Sequence, residues 1–112
     1  MRRFVAIACL TVLSTAVLVA TAPAATPVYK GTVGPGFTIK LAKAPTKAGK
    51  AKIVVADLSS SHNFHLTGPG VNVKTSVPAT GTKRFTVTLE KGTYKFVCDP
   101  HKSFMKGQFK VS

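Results

Sequence analysis

The chain has 112 residues, 16 Lys plus Arg against 3 Asp plus Glu, a formal net charge of +13, and only two cysteines. That length holds one small domain. The apolar fraction of 45% excludes a disordered polybasic linker, and two cysteines exclude a disulfide-dense scaffold. Glycine lacks a period of three and no heptads run, so collagen and coiled coil are excluded too.

Residues 1–24 read as a secretory signal. Arg2 and Arg3 give a positive start, Phe4 to Val19 carry no charge, and Ala22-Pro23-Ala24 offers small residues for a peptidase. Cleavage after Ala24 leaves a single domain, residues 25–112, in the periplasm or outside the cell. The competing reading is an uncleaved anchor, because Phe4 to Ala22 approaches the span of a bilayer. Cys9 falls inside the segment and is set aside as filler. The exported domain then keeps one thiol, Cys98, in an oxidising compartment, and a lone thiol there needs a reason.

From Val28 onward the apolar pattern has period two. Phe37, Ile39 and Leu41 alternate with Thr38 and Lys40, and Ile53 to Ala56 form a short apolar run expected of a central strand. Phe85, Val87 and Leu89 alternate with polar residues. Tyr94, Phe96 and Cys98 share a face, as do Phe109 and Val111. Turn residues punctuate these runs at Gly34-Pro35-Gly36, Ala44-Pro45, Gly68-Pro69-Gly70, Pro78 to Gly81, Lys91-Gly92 and Gly107. The reading is all-β, an antiparallel sandwich or barrel of roughly six to eight short strands, with no amphipathic helix.

Lys43, Lys47, Lys50 and Lys52 crowd one turn region, as a solvated loop or a docking surface. Nucleic acid is a poor partner for an exported chain whose aromatics fall on core positions. An acidic protein or an anionic membrane surface suits the charge better, with association that weakens as salt rises.

The chemistry gathers in His62, Cys98, His101 and Met105. Cys98 ends a strand, His101 follows three residues later, and Pro100 stiffens the loop between them by fixing its own φ. Met105 lies four residues further on, before Gly107 lets the chain enter the last strand. One soft thiolate, two imidazoles and a weak thioether are the donors of a blue-copper electron-transfer site. Zinc suits His and Cys as well. His65, three residues from His62, faces the other side of an extended strand and reads as a non-ligand. Asp57 and Asp99 are hard carboxylates, mismatched to a thiolate site, and Asp99 reads as a loop-stabilising acceptor. Phe64 is assigned to the core and Phe104 to the rim.

Ser61-His62-Asn63-Phe64-His65-Leu66, Tyr94 to His101 with its Cys98-Asp99-Pro100-His101 loop, and Met105-Lys106-Gly107 together resemble the cupredoxins. The likeness is to the small plastocyanin, amicyanin and pseudoazurin-like blue copper proteins. It implies a Greek-key β-sandwich holding one copper ion, with His62, Cys98 and His101 equatorial and Met105 axial. It also implies that Asn63 pins the Cys98–Asp99 loop by hydrogen bonds. His101 would lie near the surface as the electron port, in an apolar patch to which Phe104, Pro35 and Pro69 are the candidate contributors. Lysines around that patch would steer an acidic redox partner to a monomer.

No nucleophile with an orienting acid is evident: Ser59, Ser60 and Ser61 precede His62 without one, so catalysis is not expected. Two rivals stand beside the electron carrier. A copper carrier or storage protein would use exposed Met- or His-rich ligands. A metal-free docking module would work through its lysines alone.

Overall fold

The computed structural model describes residues 9–22 and 24–112. Arg2, Arg3 and Phe4 of the expected export signal, and Pro23 near its end, lie outside the described residues. Residues 9–22 carry no helix or strand, and their side chains are exposed. Among the described residues no helix is long and apolar enough to cross a membrane.

Eight strands follow: β1 (Val28–Val33), β2 (Ile39–Leu41), β3 (Gly49–Asp57), β4 (His65–Gly68), β5 (Val71–Lys74), β6 (Gly81–Leu89), β7 (Gly92–Val97) and β8 (Lys106–Val111). They form two four-stranded sheets, in the orders β2-β1-β3-β6 and β5-β4-β7-β8. The chain passes from one sheet to the other after β3, β5 and β6, which makes a Greek-key sandwich. Five of the six pairings are antiparallel; β1 and β3 run parallel, Tyr29 opposite Ile53 and Val33 opposite Asp57. That pair departs from the all-antiparallel expectation, and the short antiparallel β2 lies beyond it at the sheet edge.

Period-two burial builds the core. Ala51, Ile53 and Val55 point inward from β3, Val87 and Leu89 from β6, Tyr94 and Phe96 from β7, and Phe109 and Val111 from β8. Burying a side chain of this size contributes about 1.5–3 kcal/mol. The Phe64 and Phe96 rings stack at 5.4 Å, and those of Tyr94 and Phe109 at 5.2 Å. Two core rings rest on glycines. A Cβ built on Gly68 would lie 2.2 Å from Tyr94, and one on Gly107 2.2 Å from Phe96. Tyr94 is fixed further by its hydroxyl, which donates to the Pro69 carbonyl and accepts from the Glu90 amide, each at 2.8 Å.

Phe37 breaks the expected pattern. β2 begins at Ile39, and Phe37 sits in the preceding loop with 65% of its surface exposed. The alternation of Phe37 with Ile39 and Leu41 therefore begins in the loop directly after the Gly34–Gly36 turn, before the strand starts. Odd-numbered strands all run toward one end of the sandwich and even-numbered strands away from it. The loops after β1, β3, β5 and β7 thus gather at one end, and those after β2, β4 and β6 at the other.

Candidate metal centre

The loops after β3 and β7 meet at the first of these ends. Residues 58–64 follow β3. Asp57, buried at 2% exposure, sets them up: one carboxylate oxygen accepts from the Ser59 amide at 3.1 Å, the other from the Thr75 hydroxyl at 3.3 Å. That hydroxyl in turn accepts from the Phe64 amide at 2.8 Å, so His62 and Asn63 are held between two anchored residues. Asp57 is spent on this loop and stands apart from the cluster of metal-ligand atoms.

After β7, Cys98 enters a one-turn 3₁₀ helix, Asp99–His101, where the sequence suggested only a tight loop. Pro100 fits the first turn because it has no amide proton to place. The His101 amide donates to the Cys98 carbonyl at 3.0 Å, and the Met105 amide to the His101 carbonyl at 2.8 Å. The Cys98 amide donates back to the Met105 carbonyl at 3.0 Å, which closes the loop into a compact ring. Met105 is buried at 1% exposure, Cys98 at 0% and His62 at 4%; His101 is half-buried.

His62, Cys98 and His101 converge, all buried or half-buried. The two Nδ1 atoms stand 3.1 Å apart, and each lies 3.6 Å from the Cys98 sulfur. A point equidistant from all three is about 2.0 Å from each, the length of a bond from a metal to imidazole nitrogen. The donor set fits the ion: one sulfur and two nitrogens in a trigonal array, with a thioether in the same loop.

Asn63 ties the two loops together. Its side-chain oxygen accepts from the Asp99 amide, and its side-chain nitrogen donates to Asp99 Oδ2, both at 2.7 Å, and to the Thr75 carbonyl at 3.3 Å. Its own amide points at the Cys98 sulfur, at 3.5 Å. His65 is outside the ligand cluster. Its Nδ1 meets Asp99 Oδ1 at 2.8 Å, and its Nε2 meets Asn72 Oδ1 at 2.7 Å. Burial would raise the Asp99 carboxyl. The hydrogen bonds from His65 and Asn63, with the charges of His65 and Lys74, outweigh it and hold the group below its ordinary 3.8.

The family described as copper binding proteins, plastocyanin/azurin family, matches residues 28–112. The chain belongs to this copper-binding family. A cupredoxin fold agrees with solved structures at low identity. Reduced rusticyanin gives a TM-score of 0.59 at 21% identity, over 80% of this chain and 81% of that one. An oxidized amicyanin variant gives 0.52 at 19% identity, over 76% and 80%. Auracyanin A, a "blue" copper protein from the green thermophilic photosynthetic bacterium Chloroflexus aurantiacus, gives 0.51 at 18%, over 77% and 99%. No curated protein matches the chain. Within the family, His62, Cys98, His101 and Met105 of this cupredoxin have the arrangement of a type 1 copper site.

The rim differs from the sequence expectation. Phe104 is exposed at 57% and packs 5.5 Å from the His101 ring. Phe37, read only as part of the alternation with Ile39 and Leu41, packs 5.2 Å from His101, 5.5 Å from His62 and 5.5 Å from Phe104. Its place directly after the Gly-Pro-Gly turn was the available signal. Pro35 is exposed in the same loop as Phe37. Pro69 is elsewhere: it follows β4 and packs against Gly92 at the start of β7, the far end of the sandwich. The turn carrying Lys43 and Lys47 follows β2, so it too lies at the far end, not around the patch. Lys102, exposed between His101 and Phe104, is the cation within the ligand loop.

Proposed function

We propose that this cupredoxin is an exported, monomeric blue copper protein that carries one electron at a time between redox partners. The observation that carries the reading is the triangle of two imidazole nitrogens and one buried sulfur, fastened to both sheets of a stiff sandwich. Copper bound there supplies a one-electron couple. The chain's own residues keep the ligands still: Asn63 bridges the loops, and the Cys98–Met105 ring limits how far the sulfur moves. Little rearrangement between oxidation states is what fast electron exchange requires.

Cys98 and Met105 are sealed from water, while His101 reaches the surface between the exposed rings of Phe37 and Phe104. His101 is the electron port, and the two rings form the apolar contact for a partner. The excess of basic residues suits a partner with an acidic surface. Export rests on the Arg2-Arg3 start, the uncharged stretch after it and the Ala22-Pro23-Ala24 end, with cleavage after Ala24. A carrier that hands over the ion itself is disfavoured by the burial of three of the four donors.

The test is the absorption spectrum and potential of the copper-loaded chain. The oxidised form is expected to show an intense sulfur-to-copper band, lost in Cys98→Ala with the fold intact. Met105→Gln keeps the colour and shifts the potential. A band that survives in Cys98→Ala removes the sulfur from the site and sinks the reading.

A further inference from the structure

We propose that the end of the sandwich opposite the copper site is a docking surface for anionic lipid headgroups, through Lys43, Lys47, Lys50 and Lys52. Lys43 and Lys47 lie on the turn after β2. Lys50 and Lys52 occupy alternate positions at the start of β3, so both side chains leave on its outer face; all four are exposed. Lys43, Lys47 and Lys50 line one shallow groove with Pro27, Tyr29 and Thr46.

These cations have no anion of their own. Among the described residues the one ion pair is His65–Asp99, which belongs to the other end. The chain has three acidic residues. Asp57 is buried at the copper end and Asp99 is in the ligand loop; Glu90, in the turn after β6 at the far end, lies against Gly70 and forms no ion pair with the four lysines. Four like charges left together need a counter-charge from outside the molecule.

The place where the chain enters the fold says which one. The Pro27 carbonyl accepts from the Lys52 amide at 2.9 Å, so the entering segment is stitched to the lysine cluster. Leu10, Val12, Leu13, Val17, Leu18 and Val19, all exposed, precede it. Residues 20–27 join that apolar stretch to β1 and span at most about 28 Å. With the stretch in a bilayer, the four lysines are within reach of the headgroups, the arrangement by which basic clusters beside apolar segments bind anionic lipid. After cleavage at Ala24, the lysines are the attachment that remains. The nine residues of β3 set the two ends about 26 Å apart. Docked this way, the domain turns Phe37, His101 and Phe104 away from the membrane toward a partner. The inference rests on the export reading above and is independent of the metal.

The experiment is co-sedimentation of residues 25–112, which carry all eight strands, copper-loaded and copper-free, with phosphatidylcholine vesicles that contain or lack phosphatidylglycerol. Tighter binding to the phosphatidylglycerol vesicles is expected, equal in both metal states and weakened by salt. The triple variant Lys43→Gln, Lys47→Gln, Lys50→Gln should reduce that binding on the order of 100-fold at low ionic strength. The control Lys102→Gln with Lys106→Gln, at the copper end, should leave it unchanged. Equal binding to both vesicle types, or an equal loss in the control variant, would overturn the proposal. So would binding to soluble polyglutamate without retention on vesicles, which would point to an acidic protein instead. Loss of the blue colour with vesicle binding intact would remove the electron-transfer reading and leave this one standing.

Discussion

Asp99 does its work beside the copper ligands without contacting them as a donor. Its amide and both carboxylate oxygens are engaged, by Asn63 on one side and His65 on the other. Its folded carboxyl titrates below 3.8, so the unfolded chain takes up its proton first as pH falls. The stability it confers is fully present above 3.8 and is lost as pH drops through the folded value. Thermal unfolding followed from neutral pH into that acid range should show wild type losing more stability than Asp99→Asn; parallel curves would remove the carboxylate from the account. The side chain is 39% exposed, so solvent screening keeps the effect small. Residue chemistry was the most legible part of the sequence, because a thiol with His101 three residues away and Met105 four further on admits few readings. Thr75 and Asn72 were not legible. Their contacts to Asp57 and His65 depend on which loops the fold brings together, and nothing in their own neighbourhoods marks them.

At the scale of strands, the period-two pattern located the inward residues of β6, β7 and β8, while β3 showed only as the apolar run Ile53 to Ala56. What it could not supply was where alternation stops being a strand. Phe37 continues the pattern of Ile39 and Leu41 yet belongs to the rim of the copper site. The close seating of aromatic rings on glycine gives a sharper test of packing. Phe96 lies opposite Gly107 in the β7–β8 register and is two residues from Cys98. Gly107→Ala drives a methyl into that ring and should cost about 1–3 kcal/mol. Denaturant titration should show a lower midpoint with an unchanged slope, since the exposed area on unfolding stays the same. A variant as stable as wild type would mean that the Phe96 ring moves aside freely, and that its stack on Phe64 is unimportant.

For the molecule as a whole, strand direction decides what each turn can do. Every odd strand delivers its following loop to the copper end, and every even strand delivers its loop to the far end. Counting strands from His62 would have sent the Gly68-Pro69-Gly70 turn away from the site, one short strand later. The parallel pairing of β1 with β3 was beyond such counting, because β2 is only three residues long and sits outside it. The two sheets meet at the metal: His62 follows β3 in one, while Cys98, His101 and Met105 follow β7 in the other. Copper should therefore raise the melting temperature of the whole sandwich, by about 2.7 kcal/mol of stability when free metal is 100 times its dissociation constant. Calorimetry with and without a chelator measures this, and a melting temperature indifferent to copper would contradict it.

Three of the four donors lie within one eight-residue stretch of sequence, Cys98 to Met105, and only His62 comes from afar. An unfolded chain thus already carries a local tripod able to seize the ion before either sheet has formed. Metal bound by the denatured ensemble subtracts from the gain described above, so the measured benefit should fall short of what the folded protein's affinity alone would suggest. His62 is what separates a captured ion from a finished centre, and its arrival marks the moment at which metallation and folding become the same event.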